Sequence, residues 1–67
     1  MVTSLNARET QILALLAKGK PVGEIADALE ISERTARAHI QMIMDKLGVA
    51  DGVQAVAVAR RDGIVGR

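Results

Sequence analysis

The sequence contains no cysteine, which removes disulfides, thiolate metal sites and thiol nucleophiles. It contains no phenylalanine, tryptophan or tyrosine either. Single-stranded nucleic acids are held largely by stacking bases on aromatic rings, so that mode of binding is not expected. Any core must be built from Leu, Ile, Val, Met and Ala, a composition suited to packed helices. His39 is the one histidine, so no His–His or His–Cys ligand set exists. Ser4 and Ser32 are the only serines, and no triad can be assembled around them. The acidic residues are scattered, without the spacing of a metal loop. No catalytic residue, metal or cofactor is expected.

No apolar run approaches membrane-spanning length. The start lacks a basic segment followed by an apolar one, so a secretory signal is not expected. The reading is a soluble, cytoplasmic protein. Its 67 residues allow one small domain. The formal net charge is only +1, which counts against a nucleic-acid binder. Up to Glu30 the chain is slightly acidic. From Ile31 onward it is slightly basic, through Arg34, Arg37, Lys46, Arg60, Arg61 and Arg67.

The pattern that is present predicts an all-α fold of four helices, about 6–18, 21–29, 32–47 and 51–62. Asn6 can cap the first, with Glu9 at the capping-box position. Ile12, Leu13, Leu15 and Leu16 supply its apolar face, and Gly19 suits the left-handed residue beyond its end. Pro21 can open the second helix at its first position. Ile25, Ala26 and Leu29 form that helix's stripe. Glu30-Ile31 makes a tight connection. Ser32 caps the third helix and Gly48 closes it, and Asp51 caps the fourth, which stops before Gly63.

The third helix carries the functional signal. At helical spacing, Ala36, Ile40, Ile43 and Leu47 fall within about 60° of arc and form a core seam. Arg34, Ala38, Gln41 and Asp45 lie almost opposite. Arg37 is on one flank, and Thr35, Met42, Lys46 and His39 are on the other. Arginine can fork onto guanine edges, glutamine can pair with adenine, and alanine leaves room for a thymine methyl. The helix N-terminus and the Ser32 and Thr35 hydroxyls can hold a phosphate. A short helix, a tight turn and a long capped helix make a helix-turn-helix, with the third helix entering the major groove. The plainer account of a polar outer face is simple solvation, and periodicity alone does not separate the two.

Longer stretches resemble a known family. "LNARETQILALLAKGK" is similar to the opening of the LuxR-type, or GerE-like, helix-turn-helix DNA-binding domain of bacterial transcription regulators. "EIADALEISERTARAHIQMIMDKLGV" resembles its most recognisable block, and "QAVAVARRDGIV" its fourth helix and tail. The resemblance spans about residues 5 to 65. It implies four helices, DNA binding as a dimer, and control of transcription. It implies base contacts from Arg37, Ala38 and Gln41. Phosphate contacts would come from Thr35 and Lys46, with Arg34 at the groove edge; Lys20 and Ser32 are added from the charge and cap readings. Helix four would carry the dimer contact, placed at Val53, Ala57 and Arg60. The partners implied are double-stranded DNA and a second copy, with RNA polymerase a further candidate. Such domains commonly sit behind a receiver or ligand-binding domain, and nothing in this chain resembles either.

Six positions depart from the family pattern. Pro21 stands where Ser or Thr commonly caps the second helix, a loss worth about 1 kcal/mol. Val22 and Gly23 follow in place of polar or basic residues. Ala36 replaces a larger core valine, and Asp51-Gly52 replaces a commoner Ser-Arg pair. All but the core change weaken a phosphate grip. They favour, more than usual, a second reading in which the same fold serves as a protein-interaction module with weak or no DNA binding. A sigma-factor promoter-reading domain is a third possibility, disfavoured by the full fourth helix after "KLGV".

The fourth helix has two apolar sides. Ala55, Val56 and Ala59 should face the core, while Val53 and Ala57 fall elsewhere with Arg60. An apolar second face in so small a domain points to a partner. His39 is expected to pack at the core edge, and Met42 and Met44 to be packing residues.

Overall fold

The computed structural model describes residues 5–65. These form four α-helices: α1 (Ala7–Ala17), α2 (Val22–Leu29), α3 (Glu33–Leu47) and α4 (Gly52–Arg61). No strand occurs among the described residues. Each expected helix is present, and the bounds differ mainly by cap residues. Asn6 caps α1 with a full capping box, its side chain accepting from the Glu9 N–H while the Glu9 carboxylate accepts from the Asn6 N–H. Ser32 accepts from the Thr35 N–H at 3.0 Å, and Asp51 from the Gln54 N–H at 2.9 Å. Pro21 is corrected by one position. It is the N-cap of α2 in extended conformation, ψ 161°, and not the first helical residue. It has no side chain with which to cap, so α2 begins without a side-chain hydrogen bond.

All four helices end in the same motif. A left-handed residue follows each helix, directly after α2 and α3 and one residue later after α1 and α4, and its successor's N–H reaches back five residues to a carbonyl in the last turn. The bonds are Lys20 N–H to Leu15, Ile31 N–H to Ala26, Val49 N–H to Met44 and Ile64 N–H to Ala59. Three of the left-handed residues are glycines: Gly19, Gly48 and Gly63. The fourth is Glu30, φ 58°, and it sits in the turn between α2 and α3. A side chain in this region costs roughly 1–2 kcal/mol, so the connection carries local strain.

The core collects one or two side chains from each helix. Ile12, Leu13, Ile25, Ile43, Ala55 and Ala59 are fully buried, with Leu15, Leu16, Leu29, Ile40 and Leu47 packed around them. Each buried leucine or isoleucine contributes about 1.5–3 kcal/mol through lost water contact. On α3, Ala36 and Ile43 are buried and Ile40 and Leu47 half-buried, so the expected seam is the face that packs inward. Val65 closes the base of the core from beyond α4.

Candidate nucleic-acid interface

The inward seam of α3 fixes what its other side presents. Arg34, Thr35, Arg37, Ala38 and Gln41 are all exposed. The expected base-reading set of Arg37, Ala38 and Gln41 therefore stands together on one open surface.

The polar groups on that surface are partly engaged by their own helix. An Arg37 Nη2 donates to Glu33 Oε1 at 3.3 Å. Gln41 Nε2 donates to Asp45 Oδ1 at 3.1 Å. Both are exposed pairs one turn apart, worth only about 0.2–0.5 kcal/mol, so a base edge can exchange with either acid. Ser32 Oγ donates to Thr35 Oγ1 at 3.0 Å while accepting the Thr35 N–H. The Ser32 proton is thus spent, and the hydroxyl left to donate outward is that of Thr35. Arg34 makes no hydrogen bond or ion pair with any described residue. Lys20 lies 3.7 Å from Glu24 across one turn of the chain entering α2, both side chains exposed.

Lys46, expected as a phosphate contact, lies against α1. Its ammonium donates to both carboxylate oxygens of Glu9, at 2.8 and 3.0 Å. Glu9 is the one buried charged or polar residue among those described. The Lys46 hydrogen bonds hold the Glu9 carboxyl below its usual range, helped by the Asn6 N–H. Burial pushes the other way and is outweighed, while the charges of Lys46 and His39 assist. His39 is half-buried, as a core-edge residue should be.

On α4, Val53 is 82% exposed and Ala57 is also exposed. Both line an open groove with Leu16, Gly19, Lys20 and Val56. Arg60 borders the same groove, so the three expected dimer residues are brought together. Arg60 also has a role within the fold that the sequence did not suggest. Its Nη2 donates at 2.9 Å to the carbonyl of Ala17, at the end of α1, where a cation suits the helix dipole. Among the described residues no group of three or more metal-ligating side chains converges, and no helix is long and apolar enough to cross a membrane.

Comparison with known proteins gives a consistent picture. The family described as "Bacterial regulatory proteins, luxR family" matches residues 3–59. The chain is 44% identical over 62 residues to the transcriptional regulatory protein LiaR of Bacillus subtilis, covering 92% of this chain and 29% of LiaR. It is 42% identical over 60 residues to the response regulatory protein YgeK of Escherichia coli, covering 90% of this chain and 41% of YgeK. The chain therefore spans less than half the length of these relatives. Among solved structures, the transcription factor GerE superposes with a TM-score of 0.87 at 37% identity, over 92% of both chains. VqmA of Vibrio cholerae, solved in complex with ligand and DNA, superposes with a TM-score of 0.87 at 30% identity, over 96% of this chain and 28% of that one.

Proposed function

The chain belongs to the LuxR family of bacterial regulatory proteins, as a helix-turn-helix DNA-binding domain of that family, and we propose that it reads double-stranded DNA by sequence to regulate transcription. The observation that carries the finer reading is the outer face of α3. Arg37, Ala38 and Gln41 are exposed side by side at the capped end of a helix whose opposite face is core. Arg37 and Gln41 exchange weak intrahelical partners for base edges in the major groove, and Ala38 admits a thymine methyl. Arg34, Lys20 and the Thr35 hydroxyl grip flanking phosphates, with Ser32 orienting Thr35. The uncapped amides at the start of α2 are open to a further phosphate.

Dimerisation through Val53, Ala57 and Arg60 completes the proposal. One recognition helix with two or three base contacts supplies only a few kcal/mol of discrimination. The near-balanced charge leaves each domain few phosphate contacts. Two copies on successive turns of a duplex add their contacts at a fixed half-site spacing. RNA polymerase is a candidate further partner through the regulator's role.

A second reading is an interaction module with little DNA affinity. It is favoured by the pairing of Arg37 and Lys20 with acids of their own segment, and by the exposed apolar Val53 beside a groove. A mobility-shift assay with random-sequence duplex at low salt separates the two. The DNA reading predicts retarded complexes that dissolve as salt rises. A duplex that migrates freely at every protein concentration supports the interaction module instead.

A further inference from the structure

The placement of α3 on the body of the domain rests on an unusual mixture of contacts. Its core seam is Ala36, Ile40, Ile43 and Leu47, with no phenylalanine, tyrosine or tryptophan in the chain to key one helix against another. Apolar burial is non-directional, and a seam this plain tolerates small rotations and slides of the helix. Charge-assisted hydrogen bonds are directional and tolerate much less. The Glu9–Lys46 contact is of this directional kind, and it ties α3 to α1 across 37 positions of sequence.

The carboxylate end of this contact is fixed before Lys46 arrives. The Asn6 side chain accepts from the Glu9 N–H at 2.7 Å, and Glu9 Oε1 accepts from the Asn6 N–H at 3.0 Å. Glu9 is thus held by the capping box from two directions and is completely buried. The Lys46 side chain is 35% exposed, but its ammonium is committed to both oxygens of Glu9. Moving that ammonium to a DNA phosphate would strand a buried carboxylate. Stranding a buried charge costs more than one solvent-exposed phosphate contact returns.

We propose that Glu9 and Lys46 form a lock that sets the rotation and depth of α3 for base reading, and that Lys46 is a positioning residue and not a phosphate contact. The proposal rests on the DNA-binding reading above. The lock acts at the C-terminal end of α3, while the strained turn at Glu30 and the Ser32 cap fix the other end. Together they determine where Arg37 and Gln41 project. In some proteins a single polar contact specifies register where apolar packing alone leaves it loose.

The test turns on a difference of sign. If Lys46 were a phosphate contact restrained by Glu9, then Glu9→Gln would release it and strengthen DNA binding. A lock predicts the reverse. Labelled duplexes, one carrying the preferred site and one of random sequence, are titrated with Glu9→Gln, Lys46→Met and the double variant across a range of salt. Each is measured at a temperature where circular dichroism shows it folded. The double variant removes both charges and keeps the experiment open if Lys46→Met alone unfolds. The lock predicts a severalfold loss on the preferred site in Glu9→Gln and a smaller loss on random duplex, so the preference between them falls. It also predicts that Lys46→Met and the double variant keep the parent's dependence on salt. A salt slope flatter by about 0.9 in either would restore Lys46 to the phosphates and overturn the lock. Stronger binding by Glu9→Gln would overturn it too, and so would unchanged preference in a variant that is measurably less stable, which would leave the pair a folding role only. A parent domain that binds neither duplex would overturn the DNA-binding reading itself and this proposal with it.

Discussion

Replacing Glu30 with glycine should stabilise the domain, although it removes a side chain and makes no new contact. Glu30 is the left-handed residue ending α2, with φ 58° and ψ 42°, where the other three helices use glycine. Relief of the left-handed strain contributes about 1–2 kcal/mol. Glycine's greater freedom in the unfolded chain takes back roughly 0.5–1 kcal/mol. Loss of an exposed carboxylate next to the C-terminal end of α2 adds about 0.3 kcal/mol or more, since the helix dipole disfavours an anion there. The net gain is about 1 kcal/mol, which in a domain of this size raises Tm by roughly 4–8 °C. Thermal unfolding followed by far-ultraviolet circular dichroism measures it directly, with Glu30→Ala as the control. Alanine keeps the Cβ that causes the strain, so it should gain little beyond the charge term. Equal stability of the glycine and alanine variants, or a less stable glycine variant, would refute the reasoning. The left-handed conformation at Glu30 would then cost a side chain nothing in this turn.

Three further outcomes follow from particular residues. Glu9 is held below the ordinary carboxylate value of 4.5, so its contribution to stability is complete above that pH and is lost as pH falls through the depressed folded value. Denaturant midpoints should be flat above that pH and decline below it, with a shallower decline in Glu9→Gln. Gly23→Ala should raise stability by about 0.5–1 kcal/mol in denaturant titration, because alanine is the better helix former. Its new Cβ meets only the far end of the Glu33 side chain, at 3.1 Å from Oε2, and that chain can swing aside. Val53→Asp should abolish tight binding to a duplex with two half-sites while leaving single half-site binding and the circular dichroism spectrum intact. Full retention of two-site binding would remove α4 as the dimer surface.

Much of this architecture was legible because its signals are local. Asn6, Ser32 and Asp51 bond to amides three residues away, so each cap could be read within a short window. The seam of α3 repeats every three or four residues, and Ala36 and Ile43 are buried where that repeat puts them. The same repeat left Arg37, Ala38 and Gln41 on the open side. What escaped was long-range or conformational. Glu9 was legible as a capping-box residue, but its partner lies 37 positions on. Arg60 reaches a carbonyl 43 residues back, and periodicity carries no information about either pairing. Pro21 was placed one residue too far into α2, because its fixed φ suits the N-cap as well as the first helical turn. The left-handed Glu30 had no sequence signal, since glutamate does not advertise that conformation as glycine does.

The central claim is that α3 presents a face that reads bases. It is tested most directly by selecting duplexes from a randomised pool with the domain, then measuring the winners against Arg37→Ala and Gln41→Ala. The account predicts enrichment of two related half-sites about 10 base pairs apart, centre to centre. It predicts that each variant loses about 1–3 kcal/mol on the enriched duplex and much less on unrelated sequence. A pool that returns no common sequence, or variants that lose equally on every duplex, would contradict it and leave α3 gripping phosphate or not meeting DNA at all.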